Sequence, residues 1–167
     1  MKKEMSRRSF LKAGTAAAIG MSMTPGSMFA GVDAKKKKKG AKDGKLKILG
    51  VGIGGRGAAV LRGLETEDII GLCDVDWKYA EPIFNRYPNA KRYNDYKVMF
   101  AELLDQCDAV VCATADHTHA IICAEAIAAG KHVYCEKPLT HSVYESRLLT
   151  KLAAKHKVAT QMGNQGA

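Results

Sequence analysis

Features that would mark a nucleic-acid, metal or membrane protein are scarce in this chain. Aromatic residues make up 7% of the sequence, with a single tryptophan, too few to interleave with basic side chains on a base-stacking face. Basic residues are plentiful only until they are located. Residues 1–45 hold twelve lysines and arginines against three acidic residues, whereas residues 46–167 hold fourteen of each. The net charge of +9 therefore sits in the first segment, and the rest of the chain has no excess of positive charge to offer a phosphate backbone. Nucleic acid is excluded as a partner. The five cysteines, Cys73, Cys107, Cys112, Cys123 and Cys135, are odd in number and show no C-x-x-C spacing. Each lies among apolar neighbours, as small core residues do, and neither a disulfide framework nor a metal site is expected. The mildly apolar run from Ala13 to Met23 has about 11 residues, short of the roughly 20 that span a membrane.

What is present begins with a leader. Lys2, Lys3, Arg7, Arg8 and Lys12 precede that apolar run, so residues 1–30 read as a targeting segment and are set aside from the fold. Within it Ser6-Arg7-Arg8-Ser9-Phe10-Leu11-Lys12 resembles the twin-arginine export signal. The resemblance implies the twin-arginine translocase as a partner during export and a periplasmic destination. It also implies passage in the folded state, often with a cofactor already bound. The region from Ser27 to Ala34 lacks a clean A-x-A, which leaves retention as an uncleaved anchor open. Residues 31–45, with Lys35 to Lys39 in a row and Gly40 and Gly44 nearby, read as a disordered basic linker.

From Leu46 to Ala167 strand-like apolar runs alternate with helix-like segments. The runs are Leu46 to Val51, Ile69 to Cys73, Ala109 to Ala113, His132 to Cys135 and Val158 to Met162. The helical segments are Ala58 to Leu64, Trp77 to Tyr87, Tyr96 to Leu104, His119 to Ala129 and Val143 to His156. Alternation of this kind predicts an α/β fold, a doubly wound parallel sheet with helices on both faces. The runs lack period-two polarity, as strands buried on both sides do.

The first run breaks into Gly50-Val51-Gly52-Ile53-Gly54-Gly55-Arg56-Gly57 and resumes as a helix. Gly52, Gly54 and Gly57 fit G-x-G-x-x-G, whose glycines permit a sharp turn, close approach of a pyrophosphate, and packing of helix on strand. The phosphates then meet the amide groups and positive end of the helix. Alone, the pattern also suits a surface turn. Asp74 gives it a test: it follows the second run, twenty-two residues after Gly52, where such folds place the carboxylate that binds the adenosine ribose. An acid there favours NAD over NADP, because it repels a 2′-phosphate. Asp76 reads as the N-cap of the next helix.

Two further stretches, Thr114-Ala115-Asp116-His117-Thr118-His119 and Gly130-Lys131-His132-Val133-Tyr134-Cys135-Glu136-Lys137-Pro138, narrow the class. With the glycine motif and Cys73-Asp74 they resemble the Gfo/Idh/MocA family of NAD(P)-dependent sugar oxidoreductases, from about Leu46 to Gly166. Ala115 stands where that family usually has proline. The resemblance implies a Rossmann domain that binds NAD through Gly52, Ile53, Gly54, Gly55, Arg56, Gly57 and Asp74. It implies that Glu136, Lys137 and Pro138 close the nicotinamide side, with Pro138 a candidate for a cis peptide. Lys137 is the expected catalytic residue, orienting a substrate hydroxyl or assisting proton transfer, a role that burial of a lysine would favour. Thr114, Asp116 and His119 are expected in capping or cofactor-lining roles, since His117 and His119 point to different faces of a helix and make a poor metal pair. Asn164 and Gln165 are expected at the nicotinamide cleft.

In that family a second α+β domain follows, and this chain stops at Ala167, where it begins. The reading is thus of a cofactor-binding part that holds NAD and turns over no sugar by itself, with oligomer contacts belonging mostly to the second domain. The leading function is hydride transfer between NAD and a sugar or polyol in an exported oxidoreductase. The alternatives are an NAD-dependent glycoside hydrolase of the same family and a non-catalytic nucleotide-binding module.

Overall fold

The computed structural model describes residues 44–165. The twin-arginine segment and residues 31–43 of the linker lie outside the described residues. The elements run β1 (Lys47–Val51), α1 (Gly55–Arg62), β2 (Asp68–Cys73), α2 (Trp77–Arg86), β3 (Lys91–Tyr93), α3 (Tyr96–Leu103), β4 (Ala109–Cys112), α4 (His119–Ala128), β5 (His132–Cys135), α5 (Val143–His156) and β6 (Thr160–Met162). Short 3₁₀ turns, Leu104–Gln106 and Asp116–Thr118, precede β4 and α4. Every strand pairing is parallel, in the order β3-β2-β1-β4-β5-β6. This is the expected doubly wound sheet.

Each sheet face has its own core. Ile48, Ile69, Leu72 and Val111 pack under Ala58 and Leu61 of α1 and Ala80, Ile83 and Phe84 of α2. On the other face Leu49, Val51, Val110 and Val133 meet α3, α4 and α5 through Met99, Phe100, Ile122, Ile127 and Leu149. Neighbouring residues of one strand thus feed opposite cores, which is why β4 and, after Lys47, β1 are apolar throughout. Leu61 is fully sealed, and such burial stabilises by about 1.5–3 kcal/mol per side chain.

Helix starts follow the caps in the sequence. Asp76 accepts from the Tyr79 amide at 2.9 Å, Asp95 from Lys97 at 2.8 Å, and Ser142 with Glu145 forms a reciprocal capping box on α5. Beyond the strand ends the ladder continues for one more residue: Gly52 donates to Cys73, Asp74 to Tyr93, Ala113 to Val51, Glu136 to Cys112 and Gly163 to Cys135, at 2.7–3.1 Å. Candidate site residues therefore stand on hydrogen-bonded rails, not on free loops. Among the described residues no helix is long and apolar enough to cross a membrane.

Candidate functional site

The turn after β1 is shaped by close backbone contact. Gly52 has φ +74°, and a Cβ there would stand 2.7 Å from the backbone of Ala113 and Thr114. At Gly57 a Cβ would meet the Gly52 carbonyl oxygen at 2.0 Å, so α1 rests on the end of β1 with room only for hydrogen. These are the turn and packing roles that G-x-G-x-x-G demands. The Gly54 amide donates to Asp74 Oδ2 at 2.9 Å and the Asp76 amide to Oδ1 at 3.0 Å. Both carboxylate oxygens retain acceptor capacity, so Asp74 is held in place and still able to take a hydroxyl.

Around this turn lies a cleft of about 630 Å³ at the carboxyl ends of β1, β2, β3 and β4. It sits where the strand order reverses, the usual ligand position in an open α/β sheet. Gly52, Gly54, Asp74 and Thr114 line it. So do Val75, Tyr79, Asn94, Asp95, Tyr96 and Ile121, which sequence reasoning missed. Their only signal was position just after a strand or at a helix start. Val75 and Ile121 are apolar yet 89% and 52% exposed, which leaves two greasy walls for a flat ring. No lysine, arginine or histidine lines the cleft among the described residues, while Asp74 and Asp95 make it negative. Burial pushes the adjoining Cys73 thiol up to about 12, with both acids adding to the effect.

A second constellation gathers at the ends of β5 and β6. The buried Glu136 accepts at Oε1 from Arg56 Nε at 3.2 Å, Tyr134 Oη at 3.2 Å and Gln165 Nε2 at 2.9 Å. Burial alone would raise its pKa. The three hydrogen bonds and the Arg56 charge overcome that and hold the carboxyl below the ordinary glutamate value. Arg56, on the first turn of α1, is thereby tied to the loop after β5.

The remaining expected residues fall in different places. Ile53 is sealed in the core at 1% exposure, so its backbone alone is available to a ligand. Gly55 begins α1 at the helix's positive end. The Lys137–Pro138 peptide is cis, as the sequence suggested. Lys137 itself is exposed, contrary to the burial its expected role invoked, because it follows the last buried residue of the β5 rail. His119 is not in the cleft lining. At 1% exposure its Nδ1 lies 2.7 Å from the Pro138 carbonyl and its Nε2 3.0 Å from the Thr114 carbonyl. The first turn of α4 aims it inward, where it ties the loops after β4 and β5 together. Asn164 is exposed beside Gln165.

Glycine turn, ribose-type acid and strand order define a dinucleotide-binding α/β domain. The sequence pattern of the Gfo/Idh/MocA oxidoreductase family, NAD-binding Rossmann fold, matches residues 45–164, and the chain belongs to this family. It is 32% identical to an inositol 2-dehydrogenase of Salmonella paratyphi B over 94 residues, 53% of this chain and 27% of that protein. A glucose-6-phosphate 3-dehydrogenase of Bacillus subtilis shares 26% over 120 residues, 71% of this chain and 33% of that protein. Among solved structures, GenD2 from gentamicin A biosynthesis in complex with NAD aligns with a TM-score of 0.62 and 31% identity, covering 71% of this chain and 34% of its own. The chain thus spans about a third or less of these relatives.

The residues present fit NAD. Three glycines leave no Cβ in the turn, α1 offers its amide end, and Asp74 keeps acceptor capacity for a ribose hydroxyl.

Proposed function

We propose that this chain is the NAD-binding part of an exported oxidoreductase that acts on a hydroxyl-bearing carbon of a sugar or polyol. The observation that carries the cofactor half is the acid-lined cleft, in which Asp74 is pinned by the Gly54 amide and, among the described residues, no lysine, arginine or histidine lines the wall. Val75 and Ile121 would hold the adenine, Asp74 the adenosine ribose, and the turn from Gly54 to Gly57 the pyrophosphate. When bound, NAD supplies a hydride acceptor.

The chain's own residues then position the reaction. Glu136, fixed by Arg56, Tyr134 and Gln165, sets the floor of the nicotinamide side. Lys137, next in sequence and free in solvent, extends its Nζ toward a substrate hydroxyl and donates a hydrogen bond to its oxygen. The sugar or polyol substrate is supported by the family and by the dehydrogenases it resembles. Lys137→Ala is expected to lower turnover of a form that carries the family's full length while leaving NAD affinity within about twofold; unchanged turnover would refute the role.

Export rests on Ser6 to Lys12. Replacing Arg7 and Arg8 by lysine is expected to hold the protein in the cytoplasmic fraction, and unchanged periplasmic recovery would count against the twin-arginine route. The cofactor claim is tested by calorimetry with NAD and NADP on the wild type.

A further inference from the structure

β4 and β5 pair in register so that Cys112 stands beside Cys135, and both face the side covered by α4, which lays Cys123 over them. All three are fully buried, and their sulfur atoms lie within 4.8 Å of one another. Ten residues separate the first two and eleven the last two, so the fold alone assembles them. Outside the trio, Cys112 Sγ meets the Thr114 hydroxyl at 3.5 Å.

We propose that Cys112, Cys123 and Cys135 form a binding site for a trivalent thiophilic metalloid, taken up as neutral arsenous acid. Three considerations select this ligand. Donor number comes first: zinc in a closed site takes four ligands, and no fourth His, Cys, Asp or Glu joins the cluster among the described residues. Spacing comes second, since bonds of about 2.3 Å to three sulfurs at the near-right angles of a pyramidal trivalent centre require sulfur separations of roughly 3.4 Å, a closure of at most about 1.4 Å from the 4.8 Å within which the three lie. Charge decides between the remaining ions. Three thiolates around a monovalent soft cation would bury two net negative charges in an apolar interior, which is strongly disfavoured, whereas a trivalent centre leaves none.

The step is an exchange without redox change. Three As–O bonds break, three As–S bonds form, and each thiol proton leaves with a hydroxide as water. A cavity of about 50 Å³ lined by Cys123 and by the exposed Thr150, Thr160 and Gln161 gives a small neutral molecule an approach. Cys112 lies one residue before Ala113 of the cleft wall and Cys135 one residue before Glu136. Drawing the sulfurs together pulls on both loops, so occupancy weakens NAD binding.

The test is native mass spectrometry of the reduced chain titrated with arsenite, with zinc in a parallel arm. The expected adduct is one arsenic replacing three thiol protons, with affinity reduced about a hundredfold in Cys123→Ala and Cys135→Ala by loss of one linked donor and unchanged in Cys107→Ala. An adduct that retains a hydroxyl, unchanged affinity in Cys123→Ala, or zinc held by the same three cysteines more tightly than arsenite would overturn the proposal. If the alanine variants do not fold, the mass of the wild-type adduct decides.

Discussion

At the ends of β1, β2 and β3 the chain leaves an open cleft walled by glycine backbone, Asp74 and exposed apolar side chains. At the ends of β5 and β6 the side chains instead close on one another around Glu136. The first region recognises by shape: its selectivity comes from where a Cβ is missing and where a carboxylate is held. The second is a network whose charge is balanced before any ligand arrives. The contrast teaches that one sheet can build an open region defined by shape and a closed one defined by balanced charge at the same end of its strands. Arg56 links them, leaving the phosphate turn on one side and reaching Glu136 on the other.

The largest expected effect lies in the first region. Gly57→Ala would force a Cβ to 2.0 Å from the Gly52 carbonyl, backbone against backbone, and should cost at least about 3 kcal/mol, the top of the overpacking range. Urea unfolding reads this directly, and an unchanged midpoint would mean the turn is not packed as described.

Next comes Glu136→Gln, which keeps volume and removes the charge on which three donors converge. A loss of about 1–3 kcal/mol is expected. Because the Glu136 pKa is lowered in the folded state, its contribution is present above the ordinary glutamate value of about 4.3 and is lost as pH falls through the lowered one. The variant should flatten that acid-side slope, and an identical slope would assign it to other carboxylates.

Asp74→Ala removes the acceptor for two amides; about 1 kcal/mol of stability should go with it, together with about tenfold in NAD affinity. The smallest effect belongs to Arg56→Ala. Its side chain is 52% exposed, so water and salt screen the pair and a change of about 0.2–1 kcal/mol is expected. A larger loss would make the two regions one cooperative unit.

Local demands were the legible part of this molecule. The glycine spacing, Asp74 and the Asp76 cap each depend on a few neighbouring residues, and each is visible in the string, whereas the cis bond before Pro138 was expected only through the family resemblance. β3 was not, because Lys91-Arg92-Tyr93 is a three-residue edge strand with two exposed charges and no apolar run to mark it. Val75 and Ile121 look like stray surface residues until β2 and α4 bring them to one cleft. His119 shares its stretch with Thr114, yet the inward turn of α4 separates wall from support. The cysteine trio shows the same limit: its members have no motif spacing and meet only through the β4–β5 register and the helix above it.

The account rests most directly on the negative end of the cleft, which no lysine, arginine or histidine lines among the described residues. Calorimetry should show NAD binding at least about tenfold tighter than NADP, with the ratio collapsing toward one in Asp74→Asn, which keeps an acceptor oxygen and removes the charge. Equal affinity of the wild type for both nucleotides, with a ratio unmoved by the substitution, would contradict it.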